Sequence, residues 1–203
     1  MTDPLPSGTV PTRVPLEKLS RDRIVQALNR LGHLADQEGL DLELCIYGGA
    51  ALMLAYGARD TTKDLDVIAK PAGVVQRLAT SVAHELGLDE SWLNDQVRQF
   101  VSDLGTFASL EIQELEAAAQ KRLKITRPSA GYLLAMKCLA GRSALPGYAG
   151  DIADINFLVR KMALQSVDEV ERQIERFYPR DALTPRMREI LEGIFTQGRD
   201  SPP

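Results

Sequence analysis

The feature that most constrains this chain is a double glycine, Gly48-Gly49, set between two apolar segments of different periodicity. Before it, Leu42, Leu44 and Ile46 alternate with Glu43, Cys45 and Tyr47, the period of a strand buried on one face. After it, residues 50–56 are apolar, do not alternate and are rich in helix formers. A strand that runs through two glycines into a helix must turn sharply, and glycine lets a ligand approach that backbone closely. The first N–H groups of the helix lack carbonyl partners and, with the helix dipole, form a seat for an anion.

A second strand pattern follows, with Leu65, Val67 and Ala69 on one face and Asp64, Asp66 and Ile68 on the other. Residues two apart on a strand share a face, about 6.5–7 Å apart. Asp64 and Asp66 can therefore converge on one Mg²⁺, or on two ions about 3.5–4 Å apart. Mg²⁺ combines a few carboxylates with phosphate oxygens and water. Arg59, Thr62 and Lys63 lie between the two halves and join the nucleotide-binding candidates, the two cations by matching phosphate charge. Singly, a Gly-Gly pair is a turn, an Asp-x-Asp is a cap or a surface feature, and Arg59 and Lys63 are a solvated loop. Together, each preceded by a strand pattern, they read as a phosphate-and-metal site.

The stretch GGAALMLAYGARDTTKDLDVI resembles the glycine-glycine and Asp-x-Asp signature of the nucleotidyltransferase superfamily, whose fold is that of DNA polymerase β. It is most similar to the bacterial minimal nucleotidyltransferases of the abortive-infection and toxin type. The similarity continues in Leu133-Leu134-Ala135-Met136-Lys137 and Asp151-Ile152-Ala153-Asp154, so that it spans residues 40–160. It implies that Asp64 and Asp66 bind Mg²⁺ and that Gly48 and Gly49 form the phosphate turn. It further implies that Lys137 contacts the triphosphate and that Asp151 or Asp154 is an additional catalytic or positioning carboxylate. The implied reaction moves a nucleoside monophosphate from an NTP to an RNA end, such as that of a tRNA, or to a protein hydroxyl. An antitoxin partner is implied as well. Many members carry a third metal carboxylate on a later strand, where this chain offers only Glu111. Either Glu111 serves, or two carboxylates suffice, or the chain is a catalytically degenerate binding or regulatory protein.

Two residues in the later half invite a reading of their own. Lys137 is the one charged side chain in residues 132–140 and needs either an exit to water along its stem or an anionic partner, for which a nucleotide phosphate or the Asp64–Asp66 pair is the functional candidate. Asp151 and Asp154 are three apart and share a helix face. The alternative for Asp151, beside Gly150, is charge complementarity with a helix N-terminus.

With 203 residues, 44% of them hydrophobic and 26% charged, the chain can build one real core. No apolar run approaches the ~20 residues of a membrane helix, and the first residues lack a signal peptide's charged and apolar regions, so a cytoplasmic location is expected. Cys45 and Cys138 have no metal spacing and read as free thiols, and His33 and His84 as surface or capping groups. The net charge of −4 excludes a global nucleic-acid footprint. Lys121, Arg122, Lys124 and Arg127 make a local basic cluster, and the later Arg172, Arg176, Arg180, Arg186 and Arg188 run with Glu169, Glu171 and Glu175 at helical spacing, as on a solvated helix face.

Patterning along the chain predicts helices over 16–38, 50–56, 71–86, 129–142, 148–163, 167–177 and 184–197. Strands are expected at 42–47, 65–69, 107–112 and 123–125, with 88–95 a loop in which Trp92 anchors packing, and 113–121 a loop or a helix. The fold class is α+β: a small mixed sheet with flanking helices, then a C-terminal helical lobe. The expected division is a lead-in at 1–14, a nucleotidyltransferase-like domain at 15–127, a helical lobe at 128–197 and a tail at 198–203.

Overall fold

A computed structural model describes residues 18–142 and 150–197. The expected lead-in, the tail and the start of the helix predicted from 148 lie outside the described residues. The fold is mixed α+β.

The central sheet is built around β2 (Leu42–Ile46) and β4 (Leu65–Lys70), which pair antiparallel with Ile46 opposite Val67. On the other side of β2 lies β7 (Leu123–Pro128), parallel to it. The sheet is closed off by β5 (Leu93–Asn94), parallel to β4, and by β6 (Phe107–Ser109), antiparallel to β7, giving the order β5-β4-β2-β7-β6. Alternation in β2 buries Leu42, Leu44 and Ile46, as a strand of period two requires.

The helix α1 (Arg21–Gln37) starts later than the predicted residue 16. Ser20 caps it by accepting the Arg23 N–H, and the residues just before are extended instead. They form β1 (Leu19–Ser20), paired antiparallel with β3 (Thr61–Thr62) in a two-stranded ribbon that local patterning does not show. Helices α3 (Ala72–Leu86) and α4 (Ala117–Arg122) pack against α1. Gly32 of α1 lies so close to α4 that a Cβ there would stand 2.3 Å from the Ala119 Cα. Trp92 is 2% exposed and its indole N–H donates to the Ala79 carbonyl at 3.0 Å, so it is the anchor expected.

The remaining predictions shift in length. The strand expected over 107–112 keeps only β6, that over 123–125 extends through Pro128, and 113–121 is helical only from Ala117. The presumed loop 88–95 contains β5, two residues that gain their pairing from β4 alone. The later helices are α5 (Ala130–Ala140), α6 (Ile152–Lys161), α7 (Val167–Glu175) and α8 (Pro185–Gln197), with α5 packed on α6, α7 and β7. Among the described residues no helix is long and apolar enough to cross a membrane.

Candidate functional site

The double glycine begins α2 (Gly48–Tyr56), two residues earlier than expected. Gly48 has φ +61, a conformation glycine adopts without strain. The Tyr47 N–H donates to the Asp66 carbonyl at 2.9 Å and ties the end of β2 to β4. No side chain caps α2 and no acid stands in its first turn, so the first N–H groups keep the character of an anion seat.

The turn and the carboxylates meet. A Cβ built on Gly48 would lie 2.8 Å from Asp66 Oδ2, so the glycine is required both by backbone conformation and by the acid beside it. A Cβ on Gly49 would lie 2.9 Å from the Thr62 hydroxyl and 3.5 Å from Arg59 Nη1. Thr62 is buried and donates to the Asp64 carbonyl at 3.3 Å, fixing the approach to β4.

Asp64 precedes β4, Asp66 is its second residue, and both are partly buried. Burial raises the Asp64 carboxyl above its ordinary range, opposed by Lys63, a hydrogen bond from Asn94, and Arg142. Burial and then the charge of Asp64 push Asp66 up to about 6, against the pull of Arg142, Lys137 and Lys63. Two desolvated carboxylates that feel each other, with no ion pair to either among the described residues, are a donor set that gains from a hard dication. Among the described residues no group of three or more His, Cys, Asp or Glu side chains is placed to hold a metal ion together.

Glu111 does not extend the pair. It is exposed just beyond β6, with β7 and β2 between β6 and β4, about 14 Å across the sheet at the usual strand spacing. The neighbour of Asp66 on β5 is Asn94, whose side-chain amide donates to Asp64 Oδ2 at 3.2 Å.

Behind the pair lies a buried network of charges. Lys137 is 5% exposed, so its stem does not reach water. Its ammonium stands 2.8 Å from Asp151 Oδ1 and 2.8 Å from Asp154 Oδ2, with those acids 1% and 3% exposed. Of the two alternatives the sequence left open, an exit to water or an anionic partner, the second holds, and the ion-pair partners are Asp151 and Asp154 at the start of α6 rather than Asp64 and Asp66. Asp151 occupies the N-cap position of α6 but does not cap it with its side chain. Burial alone would raise its carboxyl; Lys137 and Arg142 outweigh that and hold it at about 2. Asp154 also grips Arg59, with Nε and Nη2 each at 2.6 Å. This fork leaves Arg59 lying over Gly49, so the network positions the cation nearest the turn.

Lys63 is exposed and lines a pocket that also includes Asp64. The structure thus brings Gly48, Gly49, Arg59, Thr62, Asp64 and Asp66 together and sets Lys137, Asp151 and Asp154 behind them. Patterning alone misses Asn94 and Arg142, because the first sits in a two-residue strand and the second after the left-handed Gly141. Arg142 holds Asp151 through its backbone N–H at 3.0 Å and Nε at 3.1 Å. The expected basic cluster is largely neutralised: Lys121 and Arg122 pair with Asp36, Arg122 also with Asp41, and Lys124 with Glu43.

No protein-family model matches this chain, and no curated protein or solved structure matches it either.

Proposed function

We propose that this protein is a Mg²⁺-dependent nucleotidyltransferase with a nucleotidyltransferase-type fold, moving a nucleoside monophosphate from an NTP to a hydroxyl. The observation that carries this reading is the contact between the glycine turn and the carboxylate pair, with Gly48 directly against Asp66. An anion seat and a dication seat that touch suit a substrate whose own charge is a metal-bound polyphosphate.

Asp64 and Asp66 hold the metal, which when bound neutralises charge at the α-phosphate and aligns the attacking hydroxyl. The first N–H groups of α2 receive the phosphate tail, and Arg59, fixed by Asp154, adds a positive charge over the same turn. Lys137 acts one layer back, holding the Asp151 and Asp154 carboxylates in place. In the reaction the acceptor oxygen bonds to the α-phosphorus while the bond to pyrophosphate breaks. Pyrophosphate leaves with that electron pair, and the acceptor proton passes to solvent. The resemblance to toxin-type relatives makes a cognate antitoxin part of the same proposal.

Incubation with each α-labelled NTP, total RNA and cell extract tests the assignment. Label transfer by the wild type, lost in Asp66→Ala, supports it; equal transfer by both defeats it. The amide of Asn94 on Asp64 favours a second reading, a degenerate relative that binds without transferring. Mg²⁺-dependent NTP binding without label transfer selects that one.

A further inference from the structure

The apolar surface that this chain leaves open is gathered in one place. Of the five exposed large hydrophobic side chains among the described residues, Phe100, Val101, Leu104 and Phe107 fall within eight consecutive positions. They run into β6, the last strand of the sheet, which has β7 on one side and no described strand on the other. All three residues of β6 are exposed. Its hydrogen bonds show which way its backbone faces. The Ser129 N–H donates to the Thr106 carbonyl at 2.8 Å, and the Leu110 N–H to the Ile125 carbonyl at 3.0 Å. With Ala108 opposite Arg127, the even positions turn toward β7, so Phe107 and Ser109 present their N–H and C=O groups at the open edge.

Native sheet edges are commonly blunted by charges or prolines. Residues 104–110 contain neither. The edge is also held in one shape in advance. The Phe107 ring meets the buried rings of Tyr47 and Tyr132 edge-on, with centroids 6.3 and 5.8 Å apart. The Ser102 N–H donates to the Tyr132 hydroxyl, and the Tyr178 hydroxyl to the Phe100 carbonyl, which ties the approach to β6 onto the core. A preorganised apolar strip with open backbone groups suits the addition of one more strand.

Charge decides whose strand that is. Residues 99–120 contain four acids and no Lys or Arg. Glu114 and Glu116 pair with Arg21 and His33. Asp103 and Glu111, exposed and flanking the uncharged run, have no ion pair among the described residues. Arg127, the cation across from Ala108, is turned to Tyr56, donating to its hydroxyl at 2.6 Å and lying over its ring. Two copies joined edge to edge would gather four carboxylates along one seam, with no cation from these stretches to answer them. We propose that the open edge of β6 receives an extended segment of a different protein, apolar in its middle and carrying Lys or Arg toward both ends. Its backbone pairs with Phe107 and Ser109, its apolar side chains cover Phe107 and Leu104, and its cations meet Asp103 and Glu111. No residue of the glycine turn or the carboxylate pair takes part, so this proposal and the nucleotidyltransferase reading fail independently.

The test is fluorescence anisotropy of the full chain with short labelled peptides of alternating valine and threonine, one ended by lysines and one by glutamates. The lysine-ended peptide is expected to bind at least about tenfold tighter, from two exposed ion pairs made rather than opposed. Ser109→Pro removes an outward N–H and no bond to β7, and should weaken that peptide at least about fivefold, with circular dichroism checking the fold. Glu111→Lys changes an exposed side chain with no ion pair, leaves the fold intact, and should cut the lysine peptide's advantage at least about threefold. No binding of the lysine-ended peptide overturns the proposal, as does equal binding of the two peptides. So does an advantage that Glu111→Lys leaves unchanged, or a folded Ser109→Pro that binds like the wild type. A wild type that sediments as a dimer and turns monomeric in Ser109→Pro gives the edge to a second copy and overturns it too.

Discussion

Asp66 carries opposite demands: the fold would prefer it neutral, and the proposed chemistry needs it charged. Burial and the neighbouring Asp64 raise it to about 6, so at pH 7.5 the metal-free protein holds a carboxylate it would rather protonate. Asp66→Asn should therefore stabilise the metal-free protein by on the order of 2 kcal/mol, raising Tm by roughly 5 °C. The same variant should lose the Tm increase that Mg²⁺ gives the wild type; both are read by thermal scans with EDTA and with Mg²⁺. Lys137 is the reverse case. Lys137→Ala strands two buried carboxylates whose remaining partners are Arg59 and Arg142, and a loss of about 3–5 kcal/mol in urea unfolding is expected. Legibility at this scale was uneven. Asp64 and Asp66 stand out because their strand fixes which side they share. Lys137 left open an exit to water or an anion and could not show which, since its partners lie fourteen and seventeen positions later, at the start of α6.

Among the elements, α2 and the ribbon decide where the site opens. Gly48→Ala should both strain the backbone at φ +61 and push the Asp66 carboxylate, costing about 1–2 kcal/mol from the backbone alone. It should weaken NTP binding at least tenfold in calorimetry, a loss that an exposed glycine such as Gly57 at the other end of α2, where a Cβ meets nothing, should not reproduce. Long elements with a strong period were readable to within a few residues: β2, β4, α3 and the late helices. Short ones were not. β1, β3 and β5 have two residues each, too few for alternation to register, and they exist because a partner strand satisfies their backbone groups. One of these, β5, sets Asn94 beside Asp64, so patterning missed this residue of the site because a two-residue strand carries it.

For the whole molecule, the two kinds of carboxylate shape stability against pH. Asp66 has a raised value, so its contribution is full below the unfolded-state value of about 4 and is lost as pH rises through about 6. Asp151 has a lowered value, so its contribution is present above about 4 and is lost as pH falls toward about 2. The metal-free protein should thus be most stable near pH 4 and lose stability from there to about pH 6, and Mg²⁺ should offset that loss on the alkaline side. Tm by circular dichroism across pH 3–9, with EDTA and then with Mg²⁺, checks both limbs.

The sequence by itself determined the α+β class, the strand-turn-helix at Gly48-Gly49 and the shared face of Asp64 and Asp66, because these are set by periodicities and backbone freedom within one stretch of chain. Only the tertiary structure decided that the turn touches Asp66, that Lys137 pairs with Asp151 and Asp154, that Glu111 lies across the sheet, and that Asn94 reaches Asp64. Each of these is a meeting of residues far apart in the chain, fixed by strand order, register and helix packing, none of which a local pattern of side chains encodes.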